Sequence, residues 1–287
     1  MKINADCFTC SINHFLHSVP KRSENDSKKI NLIQNALIQL NNLERFATPP
    51  ELFAALWKSA DENSSEKIDP MREEKRKSTE LGLKLLPDLQ KIVRHSQNPF
   101  ETALRFAIGG NIIDYGADIN FNLTKAKEEI YKVLNFPIDP KVVTNLYNKI
   151  KKAKKILYIL DNCGEAVLDR LLLELIADKV TVGVRGYPIL NDATEKDAID
   201  SGIDFAPIIS TGDYAPGVSL KNSSPKFLET LFQSDLVIAK GQGNVESLEE
   251  DFPNPIFFLL RVKCKAIAKH LQVPQGSIQV IGKNMNQ

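Results

Sequence analysis

Apolar residues recur at helical spacing through the first half of the chain and gather into short β-forming runs through the second. Thr48-Pro49-Pro50, Asn98-Pro99 and Asp69-Pro70 each set a capping side chain before a proline. A first-turn proline loses no hydrogen bond, so each reads as a helix start. Phe100–Ile108, Leu123–Leu134 and Pro140–Ala153 carry apolar residues at helical spacing, with lysine and glutamate in between. The charged amphipathic stretch after Pro70 is expected to be interrupted at Pro87, and the polar run Asp61–Glu66 to form a loop. No strand is expected before residue 153.

Beyond that point the pattern changes. Ile156–Leu160, Val180–Val184, Leu236–Ala239, Ile256–Leu260 and Ile278–Ile281 read as strands. Glu165–Ile176, Thr194–Asp200, Lys226–Phe232 and Cys264–Leu271 read as helices between them. Strands alternating with helices imply a mostly parallel sheet covered on both faces. The predicted class is α/β: a helical N-terminal region over 1–153, then a Rossmann-like three-layer α/β/α domain with a mostly parallel sheet over 154–287.

Charge is balanced, with 37 Lys+Arg against 36 Asp+Glu. No global field recruits nucleic acid or anionic lipid. No run approaches the roughly 20 apolar residues that span a bilayer, and the N-terminus does not read as a secretory leader. Four cysteines in 287 residues do not make a disulfide framework. A reduced cytoplasmic protein is expected, with no nucleic-acid or membrane partner.

Ligands of open α/β sheets gather at the carboxyl ends of the strands, which singles out four segments. Asp161-Asn162-Cys163-Gly164-Glu165 follows the first strand. A carboxylate beside an amide oxygen suits a hard divalent cation, although Asp-Asn also caps turns routinely. Glu165 falls in the first turn of the next helix. Asp192, after Val180–Val184, can supply a second carboxylate to the same cation or cap the next helix. Ser210-Thr211-Gly212 suits an anion held by backbone N–H groups. Lys240-Gly241-Gln242-Gly243-Asn244 follows another strand, with a cation for phosphate and glycines that let backbone approach it. The rival reading of this last segment, a nucleotide- or cofactor-binding protein without hydrolase activity, lacks the third glycine of a dinucleotide loop.

Together with Val184-Arg185-Gly186, Asn191-Asp192-Ala193-Thr194, Lys263-Cys264-Lys265, Cys7-x-x-Cys10 and Gly110-Asn111-Ile112-Ile113-Asp114, these runs resemble the damage-control phosphatase family, formerly domain of unknown function 89, in its cysteine-containing prokaryotic-type branch. The resemblance covers almost the whole chain. It implies hydrolysis of phosphate monoesters of small metabolites, sugar phosphates or damaged phosphometabolites, supported by magnesium, manganese, cobalt or nickel. It maps the metal ligands to Asp161, Asn162 and Asp192. On this reading Lys240, Gly241 and Ser210, Thr211 and Gly212 hold the phosphate, Asp161, Glu165 and Lys240 act in catalysis, and Asn111 and Asp114 meet the substrate's hydroxyls. The nucleophile is either a cation-activated water or Asp161 itself.

Cys7, Cys10, His14 and His17 do not form one zinc set, because in a helix Cys7 and His17 lie about 15 Å apart at 1.5 Å per residue. Cys7 and Cys10 could join Cys264 in a metal or redox site, or all three could pack as small apolar groups. His95 and His270 are expected at the surface or at helix ends.

Overall fold

The structure is a computed structural model, in which residues 1–44, 47–64, 67–110 and 123–285 are described. The helices before the sheet are α1 (Ala5–Arg22), α2 (Asp26–Asn41), α3 (Pro49–Glu62), α4 (Arg72–His95), α5 (Pro99–Gly109), α6 (Leu123–Lys132) and α7 (Pro140–Lys152). Two of the predicted caps close, since Asn98 Oδ1 accepts from Glu101 N at 3.1 Å and Thr48 and Glu51 form a capping box, whereas the helix after Asp69-Pro70 starts beyond them with Met71 as its cap residue.

Two expectations in this half are corrected. α4 runs unbroken through Pro87. The acceptor that a proline leaves without an N–H is the carbonyl four residues back, on Leu83, which is 37% exposed and can turn to water. Leu85, Leu86, Leu89 and Val93, buried on either side of the proline, keep the helix on its neighbours. The Asp61–Glu66 run begins inside α3, which extends to Glu62; Ser65 and Glu66 lie outside the described residues.

The second half alternates strands and helices, with the strand β3 added to those expected: β1 (Ile156–Ile159), α8 (Cys163–Leu173), β2 (Val180–Val184), α9 (Glu195–Asp200), β3 (Ile208–Ser210), α10 (Pro225–Gln233), β4 (Leu236–Lys240), α11 (Gln242–Leu248), β5 (Ile256–Arg261), α12 (Lys265–Leu271) and β6 (Ile278–Lys283). The strands form one six-stranded sheet in the order β3-β2-β1-β4-β5-β6, parallel except for β6. The chain moves outward from β1 to β3, then returns to β4 on the other side. The crevice at a reversal of strand order is where such sheets bind ligands, and here it lies between the ends of β1 and β4.

α8 is buried along nearly its whole length, because α4 and α5 pack on the side turned away from the sheet. One core joins Leu89, Phe106, Val167, Leu171, Tyr158 and Val182 across both halves of the chain. A fully buried leucine or phenylalanine contributes about 1.5–3 kcal/mol. Leu52, Val245, Phe227 and Phe258 form the core on the opposite face, and Trp57 and Phe15 meet edge-on at 5.6 Å where α1 packs on α3. Among the described residues, no helix is long and apolar enough to cross a membrane.

Candidate active site

The loop between β2 and α9 folds back along the end of β1. Ala193 N donates to Asp161 O at 2.8 Å, Cys163 N to Asn191 O at 3.0 Å, and Arg185 N to Ala193 O at 2.9 Å. These bonds form short bridges pairing Asn162 with Asp192 and Arg185 with Thr194. Ile189 and Ala193, both buried, anchor the fold-back in the core. The backbone thereby brings Asp161, Asn162 and Asp192 to one place, each less than a tenth exposed.

Arg185, fully buried, spans the two acids. Its Nε donates to Asp192 Oδ2 at 2.6 Å, and its Nη2 lies 3.6 Å from Asp161 Oδ1. Nη1 donates to Gly217 O at 3.2 Å and to Asn244 Oδ1 at 3.4 Å. Asn244 Nδ2 in turn donates to Lys240 O at 2.7 Å, tying β4's end to the same group. Burial pushes the Asp192 carboxyl up to about 6. Arg185 opposes that shift and the neighbouring Asp161 charge reinforces it.

Gly241 completes the wall. Its φ is +79°, and a Cβ there would stand 2.1 Å from Asp161 Cγ. Only glycine permits both the left-handed backbone and the approach of the Asp161 carboxylate.

Lys240 is placed differently from the phosphate-facing group expected of it. Its ammonium is fully buried and donates to Glu165 Oε1 at 2.5 Å, Asp169 Oδ1 at 2.6 Å and Ala107 O at 2.8 Å. Those three acceptors use all three of its protons. Tyr158 OH adds a bond to Asp169 Oδ1 at 2.9 Å. Burial disfavours the ammonium, yet Asp169 and Glu165 hold Lys240 above the usual lysine range. Burial raises the Glu165 carboxyl to about 7 against the opposing charge of Lys240.

The Ser210–Gly212 loop also differs from an open anion cradle. Thr211 N donates to Val184 O at 2.8 Å, Gly212 N to Ser210 Oγ at 3.1 Å, and Asp213 N to Thr211 Oγ1 at 3.4 Å. It leaves the edge strand β3, two strands or roughly 10 Å from β1 at about 4.8 Å per strand. Gly212 instead lines a cavity of about 460 Å³ with Lys58, Tyr187, Asp213 and Tyr214. Asn111 and Asp114 lie outside the described residues. The chain enters that segment against Glu165, whose Cα would stand 2.9 Å from a Cβ on Gly110.

Asp169 and Tyr158 were not singled out in the sequence, and Arg185 and Asn244 stood in its motifs without a role of their own. Arg185 carried a usable signal, as a charged residue directly after an apolar strand. Asp169 carried another, lying four residues beyond Glu165 on one helix face.

Elsewhere, Glu249, Glu250 and His270 form a group whose ligand atoms all lie within 4.8 Å of one another. It sits at the far end of α11, seven residues or roughly 10 Å from the strand ends. Lys283 and His270 already pair with Glu249.

The family model described as the damage-control phosphatase ARMT1-like domain matches residues 3–278. A protein named damage-control phosphatase from Pyrococcus horikoshii is 34% identical over 288 residues, covering 97% of each chain. Another so named, from Archaeoglobus fulgidus, is 33% identical over 217 residues, covering 73% of this chain and 74% of its own. The crystal structure of a DUF89 family protein from Pyrococcus horikoshii superposes with a TM-score of 0.85 at 33% identity, covering 97% of this chain and 98% of that one.

Proposed function

The chain belongs to the damage-control phosphatase ARMT1-like family, and from that premise we propose a divalent-cation-dependent phosphatase acting on phosphate monoesters of small metabolites, sugar phosphates or damaged phosphometabolites, in the cytoplasm. The observation that carries the reading is the convergence of Asp161, Asn162 and Asp192 at the switch point of the sheet.

The donor set fits a hard cation. Two buried carboxylates share one guanidinium, which leaves the cluster net negative, and the Asp161 carboxylate accepts no hydrogen bond from the described residues. The Asn162 amide is buried, and its Nδ2 has no hydrogen-bond partner among the described residues. Carboxylate and amide oxygens are the ligands that magnesium and manganese take, and cobalt and nickel accept them. Asp161, Asn162 and Asp192 would hold the ion. When bound, it supplies positive charge to the phosphoryl oxygens as charge develops on them.

The chain's own groups do the remainder. Arg185 fixes the Asp192 carboxylate through Nε and keeps its charge beside Asp161. Asp161, whose carboxylate is the less hydrogen-bonded of the two, would attack phosphorus or orient an attacking water. Glu165 is held where it can carry a proton near neutral pH. Gly241 lets the reacting group approach Asp161, and Lys240 acts from beneath by balancing Glu165 and Asp169. Asn111 and Asp114 are the proposed substrate contacts.

Hydrolysis of an aryl phosphate, assayed with magnesium, manganese, cobalt and nickel in turn and with a chelator control, tests the reading. Turnover should need one of these ions and vanish with chelator. Activity that survives chelation refutes it. Asp192→Ala should abolish the activity while the circular dichroism spectrum stays native.

A further inference from the structure

The fold brings Cys7, Cys10 and Cys264 together from opposite ends of the sequence. Cys7 and Cys10 are three residues apart in α1, on one face of the helix. Cys7 is buried in the core on the α11 face of the sheet, and Cys264, which caps α12, packs against that same core. Cys10 is exposed and opens the group to solvent. Burial raises the Cys7 and Cys10 thiols, and for both the charges of Cys264 and Glu246 add to the effect, so the four groups share one neighbourhood.

A polar frame holds this neighbourhood. Gln242 Nε2 donates to Cys264 Sγ at 3.3 Å and to Glu246 Oε1 at 2.9 Å, while Gln242 Oε1 accepts from Lys263 N at 3.2 Å. Ile267 N also donates to Cys264 Sγ, at 3.5 Å. These two donors fix the position of the half-buried Cys264 sulfur. Gln242 directly follows Gly241, which lies against Asp161, so the thiol group sits one residue from the active-site wall.

We propose that Cys7, Cys10 and Cys264 form a soft-metal site for zinc, separate from the oxygen-ligand site, with the Glu246 carboxylate placed to complete a tetrahedral set. Thiolates select zinc over magnesium or manganese. Each thiol that binds loses its proton to solvent as its S–metal bond forms, and no redox partner is required. The sulfurs do not all lie within 4.8 Å of one another in their present rotamers. The exposed Cys10 is the side chain that would turn about χ1 to close the set, while Gln242 and Ile267 hold Cys264. The role is mechanical: the ion pins the first helix to the loop after β5, behind Gln242. The inference does not depend on the phosphatase reading.

The full chain, purified under reducing conditions and dialysed against excess magnesium, should retain about one zinc per chain by elemental analysis, as structural zinc sites do. Replacing that zinc with cobalt should produce the near-ultraviolet thiolate-to-cobalt charge-transfer band, which an oxygen-ligand site does not give. Cys10→Ser and Cys264→Ser should each lose the band and the retained zinc, whereas Asp192→Ala should keep both. Cys10 is exposed, so its serine variant folds even where Cys264→Ser does not. No retained zinc and no thiolate band in the parent would overturn the proposal. So would a band that persists in Cys10→Ser, or a thiol titration showing a disulfide in place of metal.

Discussion

Replacing Lys240 by methionine decides whether this lysine serves substrate or scaffold. The ammonium is fully buried and gives its three protons to Glu165, Asp169 and the Ala107 carbonyl. Methionine fills the space and removes the charge, leaving two buried carboxylates without their cation. Removing one partner of a buried ion pair destabilises by about 3–5 kcal/mol, roughly a fifth or more of a typical domain's stability of about 5–15 kcal/mol. At about 2 °C per kcal/mol for a chain of this length, Tm should fall by roughly 6–10 °C. The loss should grow with pH. Without Lys240 the folded-state pKa of the remaining carboxyls rises further above the unfolded value of about 4. A carboxyl whose folded pKa is raised loses stability as pH climbs through that interval, because the unfolded chain releases the proton first. Urea denaturation at pH 5.5 and pH 8 measures both effects. Glu165→Gln in the Lys240→Met background should restore part of the loss, since it removes one of the stranded charges. A Lys240→Met protein as stable as its parent, defective only in KM and in inhibition by inorganic phosphate, would refute the scaffold assignment.

Gly241→Ala should abolish turnover and weaken cation binding measured by calorimetry, because its Cβ would overlap the Asp161 carboxylate and φ is +79°; parent-like cation affinity would contradict this. Arg185→Met should reduce kcat by at least about tenfold, the effect of about 1.4 kcal/mol, as Asp192 loses its 2.6 Å partner; an unchanged kcat would remove Arg185 from the site. Burial acts to raise the Asp197 carboxyl, but Lys75 and Thr194 prevail and hold it below the usual range. Its stabilising contribution is therefore present above the unfolded pKa of about 3.9 and lost as pH falls through the lower folded value. Asp197→Asn should flatten the stability profile below about pH 4, and an acid limb as steep as the parent's would count against the pairing.

The alternation of strands and helices after residue 153 was legible because a buried parallel strand reads as a short apolar run and a helix as a 3.6-residue period. The positions of Asp161, Asn162 and Asp192 at strand ends followed from the same pattern, since each stands directly after an apolar run or in the loop beyond it. Chain order could not show that β4 returns to the other side of β1, yet that return sets Gly241 against Asp161. It also could not show which cations are free. Lys240 and Arg185 each follow an apolar strand, but one points beneath the sheet's end into Glu165 and Asp169 while the other bridges Asp161 and Asp192. That difference depends on α5 supplying the Ala107 carbonyl and on the Asn191–Thr194 fold-back meeting β1, contacts between segments far apart in sequence. Pro87 shows the same limit. Local propensity ends a helix there, and packing of Leu85, Leu86 and Leu89 on either side carries it through. Sequence alone thus determined which elements form and which residue types reach the strand ends. Tertiary structure decided which charges face one another, because buried ion pairing depends on distances of a few ångströms between groups that the chain's local periodicity does not relate.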